Sequence, residues 1–110
     1  MRLAKLEQTF QALSPKERRS FADFVASPFF NRRDDARRLC EWLLEGKGLE
    51  PKEMVLQYVF SGATFEKQRL SLAMSHLQQL ADQFLAYRHW REKPAAHETE
   101  LLQALRQRGL

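Results

Sequence analysis

The stretch Phe65-Glu66-Lys67-Gln68-Arg69-Leu70-Ser71-Leu72-Ala73-Met74-Ser75-His76-Leu77-Gln78-Gln79-Leu80-Ala81-Asp82-Gln83-Phe84-Leu85-Ala86-Tyr87-Arg88-His89-Trp90-Arg91-Glu92 decides the fold. Leu70, Leu77 and Phe84 stand seven residues apart, flanked by Ala73, Met74, Leu80, Ala81 and Tyr87. Apolar residues at three-, four- and seven-residue steps share one side of a 3.6-residue helix. The stripe is wide enough for a helix packed by several neighbours. Thr64 is placed to cap its start, and Pro94 breaks the run beyond its end. At ~1.5 Å per residue such a helix reaches roughly 40 Å, long for so small a domain. Its end at residues 88–93 is therefore expected to project beyond the core.

The preceding sequence supplies neighbours of the same kind. Leu3, Leu6, Phe10 and Leu13 repeat at helical steps. Ser14-Pro15-Lys16-Glu17 is a start signal: the hydroxyl accepts from the third amide, proline suits the first turn, and Glu17 reaches back. Phe21, Phe24 and Val25 give this second helix an apolar face, and Pro28 stops it. Phe29-Phe30-Asn31 is a short aromatic link whose asparagine is expected to cap a third helix. That helix carries Ala36, Leu39, Cys40 and Leu43, with Trp42 toward one edge and Gly46 as terminator. Glu50-Pro51-Lys52-Glu53 opens a short fourth helix with Val55, Tyr58 and Val59 inward and Gly62 at its end. Residues 55–60 are the one serious strand candidate, and the Pro-Lys-Glu start argues for helix. After Pro94, residues 98–108 form a last helix bearing Leu101, Leu102 and Leu105.

Sustained apolar–polar alternation, fixed-period repeats and linker-like tracts are all lacking. The expectation is a single helical domain over residues 1–110: all-α, an irregular bundle of five to six helices around one long central helix. Its 110 residues, 44% hydrophobic and 29% charged, suffice to fill an interior and keep the outside wet. One cysteine excludes an intrachain disulfide and fits a cytoplasmic chain. The opening residues interleave charge with apolar residues, unlike a secretory leader, and no apolar run approaches the ~20 residues that span a bilayer. No membrane partner is expected.

Chemistry-bearing patterns are weak. Gly46-Lys47-Gly48 has too few glycines, and no following Ser or Thr, to cradle a phosphate. His76, His89 and His97 are widely spaced, and the His97–Glu100 pair lacks the second pair and extra carboxylates of a di-metal bundle. Cys40 lies among Leu39 and Leu43, which favours a buried, inert thiol. Glu41 and Glu45 share a helix side and read as a solvated face. The sequence therefore suggests no enzyme, no cofactor and no metal.

Two features point to partners. Phe29, Phe30, Trp90, Leu101, Leu102 and Leu105 exceed what a small helical core needs and form a candidate partner surface, for a protein partner or self-association. Arg32, Arg33, Arg37 and Arg38, and at the end of the long helix Arg88, Arg91 and Lys93, form candidate basic patches. A net charge of +4 adds some pull toward polyanions, so nucleic acid is the alternative partner. Asp34, Asp35 and Glu41 sit within the first patch and suggest local ion pairs instead.

Residues 13–31, above all Ser27-Pro28-Phe29-Phe30-Asn31, resemble the amino-terminal helical region of long uncharacterised proteins of Bacteroidetes-type bacteria. Val59-Phe60-Ser61-Gly62, Phe65, Leu70, Met74-Ser75-His76-Leu77, Leu80 and Phe84-Leu85 are similar to the rest of that pattern, so the likeness runs over residues 13–85. The resemblance implies no activity and no catalytic residue. It does imply that this chain is the front of a longer helical protein, with Leu101, Leu102 and Leu105 docking onto further sequence or a second copy. A complete 110-residue protein fits the sequence equally well.

Overall fold

A computed structural model describes residues 2–50, 52–60 and 67–110, which form six α-helices and no strand. These are α1 (Arg2–Ala12), α2 (Pro15–Ala26), α3 (Asp34–Leu44), α4 (Lys52–Phe60), α5 (Lys67–Arg91) and α6 (Pro94–Gln107). The fold is all-α, an irregular bundle around the long α5. The expected roles of Pro51, Gly62, Thr64 and Phe65, and the side chain of Leu3, lie outside the described residues.

The start of α2 follows its residue chemistry closely. Ser14 Oγ accepts from the Glu17 N–H at 3.1 Å, and the Ser14 N–H donates to Glu17 Oε1 at 2.8 Å. Two orphan amides are satisfied, and Pro15 occupies the first turn where no amide is needed. Arg18 Nε then donates to the Phe10 carbonyl at 3.0 Å, pinning the corner between α1 and α2.

The core gathers on one side of α5. Leu70, Ala73, Met74, Leu77, Leu80, Ala81 and Phe84 are all buried. Phe21 of α2 is fully enclosed, with Phe84 at 5.2 Å and Phe10 at 5.6 Å between ring centroids. Leu39 and Cys40 of α3 and Val55 and Val59 of α4 fill the other flank, so residues 55–60 are helical, as the Pro-Lys-Glu start argues. Trp42 is buried and donates its indole N–H to the Gly48 carbonyl at 2.8 Å. Gly46 ends α3 at φ 81°, where a Cβ would be strained, and its N–H reaches the Leu43 carbonyl.

Three expectations need correction. Asn31 does not cap α3: Arg33 holds the cap position without a side-chain bond. Asn31 is buried instead, with Nδ2 donating to the Val25 and Arg33 carbonyls and Oδ1 accepting from the Arg33 N–H. Local bonding to the link beats capping here because both amide protons find carbonyls within the turn. Tyr87 continues the α5 stripe in sequence, yet it is 42% exposed because none of the described helices buries α5 at that level. Pro94 does more than break α5. It is the first residue of α6, so that helix begins four residues before the expected 98.

The molecule measures 52 × 27 × 23 Å with a radius of gyration of 16.5 Å, against about 13 Å for a compact domain of this length. The excess lies at one end. Past Phe84 no described residue is buried, and α5 is the only helix with which α6 makes substantial contact.

Candidate interaction surface

The distal part of α5 and the link between α2 and α3 meet through aromatic rings. Phe24, a core residue, stacks on Phe30 at 4.2 Å, and Phe29 meets Phe30 edge-on at 4.9 Å. Phe30 in turn lies 6.3 Å from Tyr87, and Tyr87 lies 5.9 Å from Trp90. Trp90 packs at 4.5 Å against His97 in the first turns of α6. The result is a ladder running from the core to α6, with spacings typical of attractive ring pairs. Phe29 is its outermost member at 87% exposure.

Three of the six candidate partner residues, Phe29, Phe30 and Trp90, are thus brought together. Their connector is Tyr87, which in sequence belongs to the apolar stripe of α5. Its three-residue step to Trp90 was the available signal, since residues three apart on a helix are neighbours. Leu101, Leu102 and Leu105 sit farther along α6. Leu101 and Leu102 are 52% and 55% exposed, and Leu105 is half-buried. Helical spacing places Leu101 one turn beyond His97, so the leucines continue from the end of the ladder.

The basic patches look different. Arg33 grips the Asp35 carboxylate through two bonds of 3.1 and 2.8 Å. Arg37 bonds both Asp34 and Glu41, and Arg38 Nε lies 3.0 Å from Asp34 Oδ2. Arg32 Nε donates to the Pro28 carbonyl at 3.4 Å. The hydrogen bond from Arg37 holds the Asp34 carboxyl below its ordinary range, and the bond to Asp35 raises Arg33 further. Arg88 Nε lies 3.6 Å from Glu17 Oε2, while Arg91 and Lys93 are exposed. At 88–93, Arg88 and Arg91 rim a groove of about 290 Å³ floored by Phe24, Phe84 and Tyr87, with Asp23 on its edge. Most of the first patch is therefore charge-balanced, its phosphate-binding capacity engaged by neighbouring acids.

The remaining candidates are buried or paired within the fold. Cys40 is buried, and burial pushes its thiol up to about 12, with Glu41 adding to the effect. Glu41 accepts from Arg37 and from the Tyr58 hydroxyl, and Glu45 pairs with Lys47. Lys47 lies over the Trp42 ring at 4.6 Å, so the Gly46–Gly48 loop packs on α3. Among the described residues no group of three His, Cys, Asp or Glu is placed to hold a metal ion, and no helix is long and apolar enough to cross a membrane.

One polar pair joins elements far apart in sequence. His76 Nε2 lies 3.1 Å from Asn31 Oδ1. Because both Asn31 amide protons go to carbonyls, Oδ1 is the acceptor and His76 the donor. Asn31 therefore makes every bond its side chain allows, tying the α2–α3 link to the middle of α5. Burial, reinforced by Arg33, lowers the His76 pKa below its ordinary value, opposed by Asp35. The two residues are 45 apart in sequence, and no local pattern announces such a pair. Comparison with protein-family models, curated proteins and solved structures finds no match to this chain.

Proposed function

We propose that this chain is a non-catalytic interaction or scaffold module of a bacterial cytoplasm, holding a protein partner on its distal apolar surface. One observation carries the reading: α6 has no buried residue, yet it presents Leu101 and Leu102 more than half exposed at the end of an aromatic ladder. Exposed apolar side chains that adjoin one another, rather than stand singly, are the surfaces that mark interaction sites on monomeric proteins. Tyr and Trp within such a surface are the residue types that anchor interfaces. The high, buried Cys40 thiol and the ion-paired carboxylates of α3 offer no activated nucleophile or base, which favours binding over catalysis.

Nucleic acid is the alternative partner, and it rests on Arg88, Arg91 and Lys93 at the end of the long helix. Affinity capture from native bacterial lysate separates the two. The full chain and a Trp90→Ala, Leu101→Glu double variant are compared at low and high salt, with nuclease. The captured complexes are chemically crosslinked before washing. The expected result is a protein, another molecule of this chain included, retained by the parent chain through nuclease and high salt and lost with the double variant. Equal capture by both chains, or capture only of nucleic acid that high salt removes, would sink the proposal.

A further inference from the structure

We infer that the partner of α6 is a second copy of this chain, paired antiparallel along the seam Glu98–Leu101–Leu105–Arg108; this deepens the interaction reading above and rests on it. The steps of three, four and three along this seam are those that keep side chains facing a partner helix. Leu101 is exposed and Leu105 half-buried on an element with no buried residue, and they are flanked by an acid at one end and a base at the other. Such an order is complementary to its own reverse. In an antiparallel pair with its two-fold axis near residue 103, Leu101 faces Leu105 of the second copy, and Glu98 faces Arg108 of the second copy. Each contact then occurs twice, the self-complementarity that a two-fold interface demands. Arg108 donates one N–H to the Ala104 carbonyl at 2.8 Å, which uses one of its five donors.

The size of the seam sets the strength of the pairing. From Glu98 to Arg108 it runs about 15 Å along the helix. That is too short to bury the ~800 Å² per partner of a stable dimer. The pairing is therefore weak and concentration-dependent. An acid early and a base late also suit the dipole of an isolated helix, so a charge exchange is the decisive variant.

Sedimentation equilibrium of the full chain, from about 10 µM to about 1 mM, tests the inference. Leu101→Glu, Glu98→Arg, Arg108→Glu and the double exchange Glu98→Arg/Arg108→Glu are measured alongside. The expected result is a reversible dimer that Leu101→Glu abolishes. Each single charge reversal weakens it roughly tenfold, because the reversal acts twice across the interface. The double exchange restores it to within about threefold, since opposite charges again meet. A chain monomeric throughout the range overturns the inference, as does a dimer indifferent to these changes or one that the double exchange fails to restore. Circular dichroism checks that each variant keeps its helices; the charge variants suffice should Leu101→Glu misfold. A monomeric chain that still captures a protein through Trp90 and Leu101 defeats the self-pairing alone and leaves the interaction reading standing.

Discussion

The two ends of α5 are built from similar residues and live in different surroundings. Between Leu70 and Phe84 its apolar side is enclosed by α1, α2 and α3, and Leu77 and Ala81 have no exposure at all. Beyond Phe84 the stripe continues with Tyr87 and Trp90, but its neighbours are single rings and a peripheral helix. A helical period thus says which side of a helix is apolar. It does not say how far along the helix there is something to bury it. In this molecule the first part of α5 lies in the core, and the second is left at the surface.

That contrast can be broken by mutation, and the largest effect lies in the core. Phe21→Ala removes a ring packed against Phe10, Phe24 and Phe84 and should cost about 3–5 kcal/mol in urea unfolding. Leu101→Ala, in dilute solution where self-pairing is absent, should change stability by no more than about 0.5 kcal/mol. A loss of about 2 kcal/mol at Leu101 would mean that α6 is part of the cooperative core, with no division between a stable and a peripheral end of α5.

The Asn31 side chain marks the border between the two regions, at the root of the aromatic link. Removing its four hydrogen bonds in Asn31→Ala leaves the Val25 and Arg33 carbonyls and the Arg33 amide without these partners. A loss of about 2–3 kcal/mol is expected. The accompanying loosening of Phe29 and Phe30 would appear as faster hydrogen exchange at residues 27–33. Unchanged exchange there would show that ring packing alone holds the link.

Most of this architecture is legible in the sequence because it rests on local chemistry. The capping box at Ser14, the left-handed stop at Gly46 and the long apolar stripe of α5 each declare themselves within a few residues. The wrong readings share a cause. Asn31 before a charged run looks like a cap, and only its burial under α5 shows why its amide turns inward to the link. Tyr87 keeps the core period, and its exposure depends on where α1 to α3 happen to end. The candidate surface was half legible: oversupplied aromatics could be counted, but their joining through Tyr87 is a property of packing. For the arginines of α3, the acids that neutralise them were visible in the sequence, though which pairs form was not.

The smallest expected effect belongs to His76, and it sharpens the comparison by titrating the same border. Burial and Arg33 lower its pKa below the ordinary 6.5, so the folded state holds its proton less readily than the unfolded chain. With the unfolded state binding more protons, stability rises with pH across this interval. The contribution is fully present above about 6.5 and is lost as the pH falls from there through the lower folded-state value. Only partial burial keeps the effect small. His76→Gln retains a donor for Asn31 Oδ1 and removes the titration, so its unfolding free energy should be flat over this window where the parent chain's declines. Asp34 and Glu17, both lowered by hydrogen bonds, lose their stabilisation only at more acid pH, below their ordinary values of 3.8 and 4.5. A decline of equal slope in His76→Gln would assign the titration to another group.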